Sequence, residues 1–102
     1  MARKILIADD ESGVVKILGM RLRANGYQVI AALNGAQTVE LGHQEKHDLI
    51  ILDIKMHDKD GYSVFEDLKT SANTMLIPIV FFFVISDNYS YRSTTIECTA
   101  SV

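Results

Sequence analysis

Two short apolar runs in this chain stop abruptly at carboxylates: Lys4 to Ala8 gives way to Asp9, Asp10 and Glu11, and the run from Asp48 closes on Asp53. Apolar residues at nearly every position, instead of at alternate ones, suit a strand buried on both faces. Such strands belong to parallel sheets covered by helices. Tyr27 to Ala31 and Ile77 to Ile85 read as two more strands, with Pro78 near the entry of the last, where a missing N–H does least harm.

The intervals between these runs carry helical periods. Val14, Ile17, Leu18 and Leu22 mark a first helix, which stops at Asn25-Gly26, two residue types that tolerate the left-handed conformation. Asn34 with Gln37 resembles a capping box opening a second helix that runs to about Lys46. After a polar turn from Lys55 to Gly61, Tyr62, Phe65, Leu68 and Lys69 mark an amphipathic third helix. The order is (βα)3β, an α/β fold in which parallel strands are joined by right-handed crossovers. At 102 residues there is room for one domain with one core.

After Ile85 the composition shifts to Ser, Thr, Asn and Tyr, and no further βα unit is visible. We therefore divide the chain into a core, residues 1–86, and a divergent segment, 87–102. The segment would cover the apolar edge formed by Phe81, Phe82, Phe83 and Val84, since an open edge of that kind invites aggregation. Asp87-Asn88 is the expected turn into an antiparallel edge strand. Homodimerisation by edge pairing or segment exchange is the second way to cover the edge, and disorder of the segment is the third.

A net charge of −3 opposes binding to nucleic acid or an anionic membrane surface. Cys98 is the single cysteine, which is consistent with a reducing, cytoplasmic setting. No apolar run is long enough for a signal peptide or a membrane span.

In an open parallel sheet, ligands sit beyond the carboxyl ends of the strands. Asp9, Asp10 and Asp53 all fall there. If the first and third strands are neighbours, the three carboxylates converge, and their repulsion calls for protons or a hard cation. Mg2+ fits, because it takes oxygen ligands and joins carboxylates to phosphate. Asp53, alone at its strand end, is the natural nucleophile toward phosphorus.

The segments Lys4-Ile-Leu-Ile-Ala-Asp-Asp-Glu11 and Asp48-Leu-Ile-Ile-Leu-Asp-Ile-Lys-Met-His-Asp-Lys-Asp-Gly61 resemble the response-regulator receiver family of two-component signalling, with the likeness running from about Arg3 to Phe83. The resemblance implies a flavodoxin-like doubly wound sheet with strand order 2-1-3-4, incomplete or rearranged beyond the fourth strand. It implies a phosphoacceptor signalling protein instead of an enzyme, apart from self-catalysed loss of the phosphoryl group. Asp53 would accept phosphate from a histidine kinase or phosphotransfer protein. Mg2+ would be held by Asp10 and Asp53, by the backbone carbonyl of Lys55, and by Asp9 directly or through water. Gly61 would allow the tight entry to the third helix.

This chain departs from the pattern in three places. His57 stands where the family usually has proline, which reads as a less rigid loop, with His57 a loop residue and not a ligand. Phe83 occupies the usual Thr or Ser position at the end of the fourth strand, with Ser86 three residues on. No lysine follows Lys69 to serve as the strand-5 cation, and Arg92 is the only later positive residue. His43 and His47 read as solvated residues near a helix end.

These departures support an alternative, a pseudo-receiver that binds partners without taking phosphate. A Mg2+-dependent phosphohydrolase is a further reading, weakened by Lys55 standing where such enzymes carry a second acid. Asp58, Asp60, Gly61 and Asp67 resemble part of a calcium loop, but Met56 falls at its first ligand position.

Overall fold

The structure, a computed structural model, describes residues 3–86 and 91–99, with side chains described through Phe81. The elements are β1 (Lys4–Ala8), α1 (Ser12–Ala24), β2 (Gln28–Ala32), α2 (Gly35–Gln44), β3 (Leu49–Asp53), α3 (Gly61–Lys69), β4 (Ile79–Ser86) and β5 (Tyr91–Thr99). The sheet runs β2-β1-β3-β4-β5. Its first four strands are parallel, the (βα)3β arrangement expected from the sequence. β5 lies antiparallel along β4, from Ile79 opposite Thr99 to Ser86 opposite Tyr91, with an irregularity between Ile85 and Ser86. The expected turn at Asp87-Asn88 lies outside the described residues.

Side-chain alternation along each strand sorts the apolar residues into two layers. Leu6, Ala8, Ala32, Ile50, Leu52, Ile79 and Phe81 form one face, and Val64 and Leu68 of α3 pack there together with Val39 and Leu41 of α2. Ile5 and Ile7 point to the other face, where Val15, Leu18 and Leu22 of α1 cover them beside Leu49 and Ile51. The Phe81 ring lies 5.2 Å from both Tyr62 and Phe65, which seats α3 against β4.

The inner face of α1 includes Val15, whereas Ile17, expected on that face, is 64% exposed. At 100° per residue, Ile17 is carried off the stripe defined by Leu18 and Leu22. At the end of α1 only Gly26 takes a left-handed conformation, with φ 91°. Asn25 stays at φ −96° and its side-chain amide donates to the Arg21 carbonyl. Tyr27 donates its N–H to Leu22 O at 3.1 Å, so it closes the helix, and β2 begins one residue later than expected.

The cap of α2 is as read: Asn34 Oδ1 accepts from Gln37 N at 2.7 Å. The return bond differs, for Gln37 Oε1 accepts from Leu33 N at 2.8 Å. His43 is exposed as expected, but His47 is not, being 2% exposed. Its Nε2 lies 3.1 Å from Leu41 O, a last-turn carbonyl that also accepts the Glu45 N–H at 3.4 Å. The ring closes α2 two residues earlier than the pattern suggested.

Candidate metal centre

Ala8 pairs with Leu52 in the register of β1 and β3. The next residues, Asp9 and Asp53, therefore emerge level at the carboxyl edge of adjacent strands. Asp9 remains tied to the ladder, its N–H donating to Ala32 O at 3.1 Å. Its Oδ1 accepts the Glu11 N–H at 2.9 Å, which turns the chain toward α1 and sets Asp10 beside the pair. One oxygen each from Asp9, Asp10 and Asp53 lies within 4.8 Å of the others. Asp9 and Asp53 are 4% and 9% exposed, so little water screens them.

Burial is the main cause that pushes the Asp53 carboxyl up to about 7, and the neighbouring Asp9 charge adds to it. The Lys55 N–H, which donates to Asp53 Oδ1 at 3.3 Å, acts in the opposite sense. Burial also raises Asp9, against the Glu11 hydrogen bond. Two carboxylates this close and this dry cannot both be ionised cheaply. A hard divalent cation suits such a donor set, because it takes oxygen ligands and supplies the missing positive charge.

The loop from Ile54 to Asp60 connects this cluster to α3. Gly61 N donates to Ile54 O at 2.7 Å, folding the loop back on the strand end. A Cβ at Gly61 would collide with Asp53 O and lie 2.8 Å from Ile54 Cα, so the close approach admits glycine alone. The Lys55 side chain is exposed.

The loop is held more firmly than the replacement of proline by His57 suggested. The His57 N–H donates to Asp10 Oδ2 at 2.9 Å, and its Nδ1 contacts the same oxygen. Asp58 reaches the other way: its two oxygens accept the N–H groups of Gly35 at 2.8 Å and Ala36 at 3.0 Å, at the start of α2. Asp60 caps α3 by accepting from Ser63 N at 2.9 Å, and Asp67 pairs with Lys59. The acids that resembled a calcium loop are thus engaged in separate structural contacts. Sequence spacing gave no sign of the His57–Asp10 and Asp58–α2 contacts, because both bridge segments far apart in the chain.

Phe83 follows Phe82, the β4 partner of Asp53 in the register, but its side chain lies outside the described residues. The same holds for Ser86 and Arg92.

A doubly wound sheet with converging acids at its carboxyl edge defines a flavodoxin-like domain with a candidate cation site, and comparison with known proteins makes the assignment specific. Residues 5–101 match the family model described as "Response regulator receiver domain". The chain belongs to that family, the receivers of two-component response regulators. It is 39% identical over 84 residues to a probable transcriptional regulator, ycf27, of Guillardia theta, covering 82% of this chain but 32% of that protein. This chain thus spans about a third of that relative's length.

Among solved structures, the N-terminal domain of a response regulator receiver protein from Methanoculleus marisnigri superposes with a TM-score of 0.77 at 30% identity, over 84% of this chain and 70% of that one. The receiver domain of a sensor histidine kinase from Pseudomonas aeruginosa, which has a magnesium ion coordinated in its active-site cleft, superposes with a TM-score of 0.74 at 26% identity, over 78% of this chain and 65% of that one. Among the described residues, no helix is long and apolar enough to cross a membrane.

Proposed function

We propose that this receiver accepts a phosphoryl group on Asp53 from a histidine kinase or phosphotransfer protein, with Mg2+ held by Asp9, Asp10, Asp53 and the Lys55 carbonyl. The observation that carries this reading is the convergence of three carboxylates within 4.8 Å, one of them buried and pushed up to about 7. A buried carboxyl of that kind is a poor structural choice and a good functional one.

An Asp53 oxygen forms the bond to phosphorus while the bond from phosphorus to the donor's imidazole nitrogen breaks, leaving an acyl phosphate on the protein and a free histidine on the donor. Asp53 must be anionic for this, so the proton that its burial favours has to leave first. Asp9 and Asp10 hold negative charge at the same point. Mg2+, when bound, offsets that charge and the charge spread over the transferring oxygens. The Lys55 N–H orients Asp53 through Oδ1. In this reading residues 1–86 carry the chemistry, and β5, within the segment 87–102, covers the edge of β4.

Borohydride trapping tests the assignment. After treatment with acetyl phosphate and Mg2+, reduction of an acyl phosphate converts its aspartate to homoserine, and peptide mapping should find homoserine at position 53 alone. Homoserine elsewhere, or none, would contradict it.

A further inference from the structure

The loop residue His57 makes a connection that neither the fold nor the proposed chemistry requires. Its backbone N–H donates to Asp10 Oδ2 at 2.9 Å, and its imidazole Nδ1 contacts that same oxygen. The imidazole is 94% exposed, whereas the Asp10 side chain is 13% exposed. A ring so exposed contributes little to the core, and its polar contact is directed at one carboxylate of the cluster.

We propose that His57 is a positioning residue for the metal centre: it fixes Asp10 by holding Oδ2, so that Oδ1 is presented to the cation shared with Asp9 and Asp53. The inference rests on the reading of that cluster as a Mg2+ site. A carboxylate that binds a cation through one oxygen loses rotational freedom on binding, and a donor already holding the other oxygen removes part of that cost. Partners one step out from a metal commonly change its affinity by 10–100-fold for this reason.

Proline, usual at this place in the family that the sequence resembles, has neither an N–H nor a ring donor. The hold on Asp10 is therefore a property of this chain. His57 acts through Asp10 and does not join the cluster, which consists of Asp9, Asp10 and Asp53.

Amide chemical-shift titration of the whole chain with Mg2+ tests this, using the wild type, His57→Ala and His57→Pro, each also in an Asp10→Asn background. His57→Pro removes both donors and should weaken Mg2+ by ~10-fold or more, and His57→Ala, which keeps the N–H, should weaken it by less. In the Asp10→Asn background neither change should weaken Mg2+ further, because the carboxylate they act through is gone. A merely structural role would give the same loss in both backgrounds. Unchanged or tighter Mg2+ binding in both His57 variants, or equal losses with and without Asp10, overturns the inference. A wild type that binds no Mg2+ overturns the metal-site reading itself, a separate and recognisable outcome.

Discussion

Asp9 and Asp53 stand side by side at the ends of neighbouring parallel strands, because Ala8 and Leu52 are partners in the register. Strands in a sheet are about 4.8 Å apart, so the pairing itself brings two acids into mutual repulsion. The sheet is continuous and well packed beneath them, with Leu6, Ile50 and Leu52 fully buried. The fold thus holds together a pair of charges that would separate if free. A cation or a proton relieves the conflict, and the site's chemistry follows from which one is present.

Acid should therefore stabilise the metal-free protein over part of the pH range. Asp53 has its carboxyl raised from 3.8 to about 7 in the fold, so between those values the native state binds more protons than the unfolded one. Stability then falls as pH rises through that window. Groups with lowered values, Glu45 and Asp58, act in the opposite sense but below their ordinary values of 4.5 and 3.8. The metal-free melting temperature should decline from pH 5 to pH 7.5, and Mg2+ should restore it at the upper end. Asp53→Asn should flatten the decline. A melting temperature independent of pH across this range in the wild type would show that the carboxylates do not oppose one another.

Asp58 ties the loop of the site to α2 by accepting two of the N–H groups that a helix N-terminus leaves unpaired. Those bonds hold its carboxyl below the ordinary value of 3.8, so their stabilisation is present at neutral pH and is lost as pH falls through the lowered value. Asp58→Ala should reduce hydrogen-exchange protection at Gly35 and Ala36 at pH 7, with little change in the β1 amides. Unchanged protection at both amides would mean that water serves as well as the carboxylate.

Gly61 is the tightest point between the loop and the strand, where any Cβ meets the Asp53 carbonyl and Ile54 Cα. Because these are backbone atoms, side-chain rotation cannot relieve the overlap. Gly61→Ala should destabilise the protein by about 2–3 kcal/mol, read as a lower denaturant midpoint at an unchanged slope. A shift under about 0.5 kcal/mol would indicate that the loop can move away freely.

The elements most legible in the sequence were those whose environment is uniform along their length. β1 and β3 are apolar at nearly every position because both faces are covered, and the acids after β1 and at the end of β3 mark where the sheet meets solvent. The site followed from them, since parallel neighbours place their carboxyl ends together. Helix faces were less legible: Val14, Ile17 and Leu18 fit more than one stripe, and only packing against Ile5 and Ile7 chose Val15 and Leu18 over Ile17. His47 is illegible for a related reason, as its burial depends on the chain folding under α2 between Gln44 and β3. Contacts such as His57 with Asp10 span 47 positions and involve a backbone N–H, which no side-chain pattern records.

The central claim is that this receiver takes a phosphoryl group on Asp53 with the help of Mg2+. Intact mass after incubation with acetyl phosphate tests it most directly, with and without Mg2+ and in Asp53→Asn. A single phosphoryl adduct that requires both Mg2+ and Asp53 is the expected result. No adduct in the presence of Mg2+, with the protein folded, would contradict the claim and leave the acids as a site that no longer takes phosphate.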